Sequence, residues 1–132
     1  MLPPEFRDLV RQKDEGGNLV LTTYDGCIVG FPLPEWEEFE AKLSAVPNPV
    51  PLVRIFRRLV LGGAEMMPID SQGRVRLSRE HMNYAKIDKD VLVVGIGPRF
   101  EIWAPELFAS NIEQNFDDVA EAISDTGISF AF

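Results

Sequence analysis

The stretch Asp70-Ser71-Gln72-Gly73-Arg74-Val75-Arg76-Leu77 holds the residues of this chain whose types and spacing suggest chemistry toward another molecule. Aspartate first and glycine fourth suit a type I turn, with the carboxylate accepting the N–H two residues on and the glycine taking positive φ. Beyond the turn, Val75 and Leu77 alternate with Arg74, Arg76 and Ser78. At a strand's period of two, the apolar pair faces a core and the arginines share the outer face, about 6.6 Å apart. A guanidinium is a planar fork of donors that fits phosphate oxygens, or O6 and N7 of guanine. Two readings follow: a nucleic-acid contact, or a solvated hairpin whose long side chains keep an edge strand soluble. Pro68 places the preceding strand at an edge in either case, because proline donates no ladder hydrogen bond. Asp70 repels phosphate, so its part in a contact is indirect: it holds the turn and orients Arg74.

The elements that must position this turn emerge from an internal comparison. From Leu2 the chain runs through a short proline-opened helix, a strand at Asn18–Thr23, a turn, a strand at Cys27–Phe31, and a helix from Pro34. From Leu77 the same order recurs: a short helix, a strand at Val91–Gly95, a strand at Phe100–Trp103, and a helix from Pro105. Proline in a helix's first turn is tolerated because its missing N–H has no partner there anyway. The second half is preceded by a strand from Ala64, the Asp70–Gly73 turn and a return strand through Arg76. The first half has only Met1 before it, so its opening hairpin is missing, and a shortened chain is the expectation. Val46–Pro51, with three prolines, is a stiff linker. A helix follows, with Leu52, Ile55, Phe56 and Leu59 on one side and Arg54, Arg57 and Arg58 elsewhere, stopped by Gly62-Gly63. Leu107, Phe108, Ile112 and Phe116 suggest a final amphipathic helix leading into an acidic tail.

Charge is segregated along the chain. The net charge is −8 over 132 residues, yet residues 51–79 carry six arginines against Glu65 and Asp70, a local +4 that leaves −12 for the remainder. Glu35, Glu37, Glu38 and Glu40 form one acidic block, and Glu113–Asp125 spans another. No nucleophile, ligand cluster or phosphate-cradling glycine loop accompanies these glutamates, so an enzyme is not expected. A single cysteine, Cys27, and a single histidine, His81, leave too few ligands for a zinc or iron site, so neither metal nor cofactor is expected. Cys27 reads as a small core hydrophobe, His81 as a packing residue, and Trp36 and Trp103 as core or interface residues. The longest apolar runs are far too short to cross a bilayer, and MLPPEFRDLV has no export segment, which leaves the cytoplasm.

The ordered set Phe56-Arg57-Arg58-Leu59, Ala64-Glu65, Ile69–Leu77, Tyr84-Ala85, Val94-Gly95 and Phe100-Glu101-Ile102-Trp103 resembles the second half of the bacterial MraZ proteins, and the likeness covers Leu2 to about Phe108. The resemblance implies an α+β fold like that of AbrB, a swapped-hairpin β-barrel of two pseudo-repeated SpoVT-AbrB-type halves with flanking helices. The corresponding divisions are 1–46 for an incomplete first half, 47–63 for the linker and connecting helix, 64–110 for the second half, and 111–132 for the acidic helix and tail. It further implies a sequence-specific, double-stranded-DNA-binding transcriptional regulator of the division and cell wall gene cluster. Such a regulator would bind upstream repeats as a homo-oligomeric ring in the cytoplasm, associated with the nucleoid. The family's D-x-x-x-R motif maps onto Asp70 and Arg74, with Gln72, Gly73 and Arg76 in the same hairpin. Arg54, Arg57 and Arg58 are additional candidates for a DNA-facing surface. The chain departs from the family in having Leu77-Ser78 where Ile-Pro is usual, and in lacking the first-half motif. That absence motivates an alternative, an oligomeric protein-interaction module with little DNA binding.

Overall fold

The computed structural model describes residues 4–14, 16–47, 50–113 and 116–127; the centre of the proline linker and the ISFAF terminus lie outside them. The elements run α1 (Pro4–Lys13), β1 (Asn18–Tyr24), β2 (Cys27–Pro32), α2 (Leu33–Ala45), α3 (Pro51–Val60), β3 (Glu65–Pro68), α4 (Arg79–Ala85), β4 (Leu92–Ile96), β5 (Arg99–Trp103), α5 (Pro105–Asn111) and α6 (Phe116–Asp125). The class is α+β, as expected. The described strands form an open antiparallel sheet in the order β3-β1-β2-β5-β4, with no closed barrel among them. Because β2 pairs with β5, from Ile28 opposite Ile102 to Gly30 opposite Phe100, the two hairpins share one sheet. Pro68 does sit on an edge strand.

Strand alternation divides the core in two. Leu19, Leu21, Ile28, Phe100 and Ile102 point to one face, where Val10 of α1 and Ala85 of α4 cover them. Val20, Val29, Phe31 and Trp103 point to the other, against Trp36 and Leu43 of α2 and Val60 of α3. Helices on both faces explain why β1 and β2 are buried along nearly their whole length. Leu21 is fully buried, so truncating it to alanine is expected to cost about 2–5 kcal/mol. The opening of α4 has its own local cause: Ser78 Oγ accepts the His81 N–H at 3.1 Å and donates to Glu65 Oε2 at 2.7 Å. Ser78 thus supplies an N-cap worth about 1 kcal/mol.

Three expectations need correction. Residues 74–78 form no strand; β3 takes β1 as its ladder partner, Asn18 opposite Pro68, and the arm after the turn returns a single backbone bond, Asp70 N to Arg74 O at 3.1 Å. Val75 and Leu77 nonetheless pack on the core while Arg74 and Arg76 stay exposed, so the in-out alternation survives without a ladder. The final helix does not run through Phe116: α5 ends at Asn111, and Ile112 is exposed. In α3, Phe56 and Val60 pack inward, Phe56 edge-on to Tyr24 at 5.5 Å, but Leu52 and Ile55 are 74% and 54% exposed. Their shared stripe does not reach the sheet at its start.

Candidate nucleic-acid interface

The 70–73 turn is built on a buried anchor. Ile69 is buried in the core, and its N–H donates to Gly17 O at 2.8 Å. The next residue turns outward, and Gly73 N donates to Asp70 O at 3.0 Å with Gly73 at φ +78°, closing the predicted turn. Asp70 Oδ1 accepts from Gln72 N at 2.9 Å and from Arg74 N at 2.8 Å, while Oδ2 accepts from Arg74 Nε at 2.7 Å. One carboxylate therefore fixes both the backbone of the turn and the guanidinium that leaves it. Hydrogen bonding from the Arg74 backbone, then from its side chain, holds the Asp70 carboxyl below the usual aspartate range.

Arg74 meets Asp70 through Nε, which leaves both terminal amino groups without a hydrogen bond among the described residues, on a side chain that is 58% exposed. That is the end that can make two parallel hydrogen bonds to a planar or anionic acceptor. Arg76 is exposed beside it, and Asp70, Arg74 and Arg76 line a shallow open cleft with Met67, Pro68 and Val75. Gln72 is exposed at the tip, and Gly73 is buried beneath it.

What buries Gly73 is a residue that sequence reasoning missed. Arg7 of α1 lies across it, its Cδ only 1.7 Å from where a Cβ on residue 73 would sit, and its Nη1 reaches Gln72 O at 3.5 Å. One helical turn on, Arg11 Nη2 donates to Asp70 O at 3.1 Å. Two arginines at i and i+4 share a helix face, and that spacing was legible; which turn they would meet, 59 residues away, was not.

The other arginines divide. Arg57 does not face outward: its Nη2 donates to Leu43 O at 2.9 Å, to Ser44 O at 3.5 Å and to Val46 O, capping the carbonyl end of α2. Arg58 is exposed and Arg54 half-buried on α3, apart from the turn in sequence and on a helix that covers the opposite sheet face from α1. Trp36 and Trp103 are buried, as expected; Trp103 Nε1 donates to Glu101 Oε1 at 2.9 Å. Cys27 is a buried thiol whose pKa burial, then Glu101 and Asp25, push up to about 12. His81 is more deeply and more polarly held than a packing role requires: its Nε2 lies 2.6 Å from Gly63 O and 3.1 Å from Glu65 Oε2.

The α+β scaffold thus presents an exposed turn carrying Arg74, and comparison with known proteins gives the class of the chain. Curated relatives along the full length are named transcriptional regulators. Among them are the transcriptional regulator MraZ of Nitratidesulfovibrio vulgaris strain Hildenborough, 55% identical over all of this chain and 89% of the relative, and that of Oleidesulfovibrio alaskensis, 48% identical over 98% and 87%. The one from Lactobacillus gasseri is 36% identical over 95% and 87%. The family model described as "MraZ protein, putative antitoxin-like" matches residues 60–127, which contain the turn. The chain belongs to the MraZ family. No helix among the described residues is long and apolar enough to cross a membrane.

Proposed function

We propose that this chain is a sequence-specific DNA-binding transcriptional regulator whose 70–76 turn enters a groove of double-stranded DNA. The terminal amino groups of Arg74 contact a base edge or phosphate, Arg76 contacts a phosphate, and Gln72 and Gly73 bring the backbone close. Asp70 acts through Arg74. The shared name of its relatives supports the regulatory role, and the observation that carries the DNA reading is the Asp70–Arg74 pair. A 2.7 Å bond to Nε restrains the side chain and leaves both terminal amino groups unbonded among the described residues.

One turn gives few contacts, so avidity requires several displayed together. The reading therefore includes a homo-oligomeric ring acting on repeats upstream of the division and cell wall gene cluster, in the cytoplasm and at the nucleoid. A swapped-hairpin barrel formed with further strands is the architecture that would present the turns. Exposed Leu52 and Ile55 on α3 support self-association, with Arg54 and Arg58 at that contact or facing DNA. They equally favour a second reading, an interaction module that docks protein and scarcely binds DNA. A mobility-shift assay on the DNA upstream of this gene cluster, run with the unmodified chain and Arg74→Ala, separates them. The first reading expects binding that falls in the variant; no binding by the unmodified chain, or equal binding by both, favours the second.

A further inference from the structure

We infer that α1 is a second wall of the nucleic-acid surface, and that Arg7 and Arg11 bridge the turn's carbonyls to backbone phosphates on the same duplex. The inference rests on the DNA reading of the turn and adds residues that its motif does not contain. Its starting point is a mechanical problem. Residues 74–78 have no ladder, so the turn has no strand partner to fix its direction, and the Asp70 bonds are internal to it. The contacts that tie its carbonyls to another element are those of α1: Arg11 on Asp70 O, Arg7 on Gln72 O, and the Arg7 stem over Gly73.

The chemistry of those contacts is informative. A backbone carbonyl is a neutral acceptor that needs one donor, whereas a guanidinium has five and a full charge. Arg11 gives the turn one bond from Nη2 and is exposed. Arg7 makes one long bond and keeps its Nε buried without a partner among the described residues. Lysine or glutamine would tether a carbonyl as well. Two arginines spaced one helical turn apart and converging with Arg74 and Arg76 on the 70–76 segment set four positive charges against the one Asp70 carboxylate, a local +3 around a single exposed tip. In a chain of net charge −8, such a concentration creates a local field of the sign that phosphates need. Phosphate contacts of this kind set register and affinity and carry no sequence information, leaving discrimination to the turn.

The test measures affinity against salt for the full chain, using a duplex from upstream of its own gene and a duplex of shuffled sequence. Arg7→Ala and Arg11→Ala are each expected to weaken binding to both duplexes alike and to flatten the log–log salt slope by about 0.9 for each phosphate that is no longer neutralised. Arg7→Lys and Arg11→Lys, which keep a stem over the turn and a positive charge, should restore the slope. Lys42→Ala, an equal removal of charge on α2, should leave it unchanged. Arg74→Ala differs by also narrowing the preference for the upstream duplex. If Arg74→Ala weakens binding while the α1 variants bind as before, or weaken it with the slope intact, α1 is a prop and the inference is overturned with the DNA reading intact. If Arg74→Ala is also without effect, the DNA reading falls first.

Discussion

Two aspartate-glycine turns in this molecule are made in opposite ways. The Tyr24–Cys27 turn closes a long ladder, from Leu19 opposite Pro32 to Tyr24 opposite Cys27, with Asp25 at φ 55° and Gly26 at φ 82°. Positive φ at both central residues matches the right-handed twist of the flanking strands, so backbone pairing dictates the shape, and the Gly26 N–H is tied down by Tyr84 Oη at 3.0 Å. The Asp70–Arg74 turn has almost no ladder; Asp70, Arg7 and Arg11 hold it by side chains. A turn made by strands tolerates changes in its side chains. One made by side chains binds its shape to its chemistry, which suits a turn whose arginine must arrive pre-aimed.

Substitutions that treat the two turns alike should therefore separate them. The largest effect is expected at Arg74→Ala, a loss of about 1–3 kcal/mol in binding to the upstream duplex with relaxed sequence preference, measured by fluorescence anisotropy; Asp25→Ala should leave binding unchanged. Asp70→Asn keeps an acceptor for the turn amides but loses the charge facing Arg74, so a smaller affinity loss than Arg74→Ala is expected, with the fold intact by circular dichroism. An Asp70→Asn variant that bound like the unmodified chain would remove the orienting role.

Smaller, and read through stability rather than binding, is the pair Gly73→Ala and Gly26→Ala. Both glycines sit at similar positive φ, so both substitutions cost about 1 kcal/mol of backbone strain. Only residue 73 meets a neighbour, Arg7; nothing lies within 4 Å of a Cβ on residue 26. Urea unfolding should find Gly73→Ala the less stable by a further ~1 kcal/mol, and equal stabilities would mean Arg7 does not pack there. Smallest is a pH effect. The folded Asp70 pKa is depressed, so whatever the ionised carboxylate adds to the turn is present above the unfolded value and lost as pH falls through the folded one. The Gln72 and Arg74 amide resonances should move with a midpoint below that of an ordinary aspartate.

Much of the scaffold was legible in the chain. The apolar run Leu19-Val20-Leu21, the Asp25-Gly26 turn and prolines at Pro34, Pro51 and Pro105 are local signals, and each element they announce is present. Asp70, Gln72 and Gly73 likewise predicted their own turn because its bonds span only two to four residues. What failed depended on distant partners. Periodicity puts Leu52 and Ile55 in one stripe with Phe56 without saying whether a surface meets it. Arg57 reads as an exposed helix charge until the α2 carbonyls at Leu43 and Val46 are placed beneath it. The return strand after Gly73 was expected because a turn usually joins partners, yet β3 stays an edge strand paired with β1 and residues 74–78 join no ladder. Arg7 and Arg11 were invisible for the same reason: their acceptors lie 65 and 59 residues away.

Whether the 70–76 segment meets DNA is tested most directly by titrating the upstream duplex into isotopically labelled protein, with amide shifts followed by NMR. The prediction is that Gln72, Gly73, Arg74 and Arg76 move together and saturably, and that the Asp25-Gly26 turn stays still. Silence at 70–76 while the protein demonstrably binds the duplex elsewhere would contradict it.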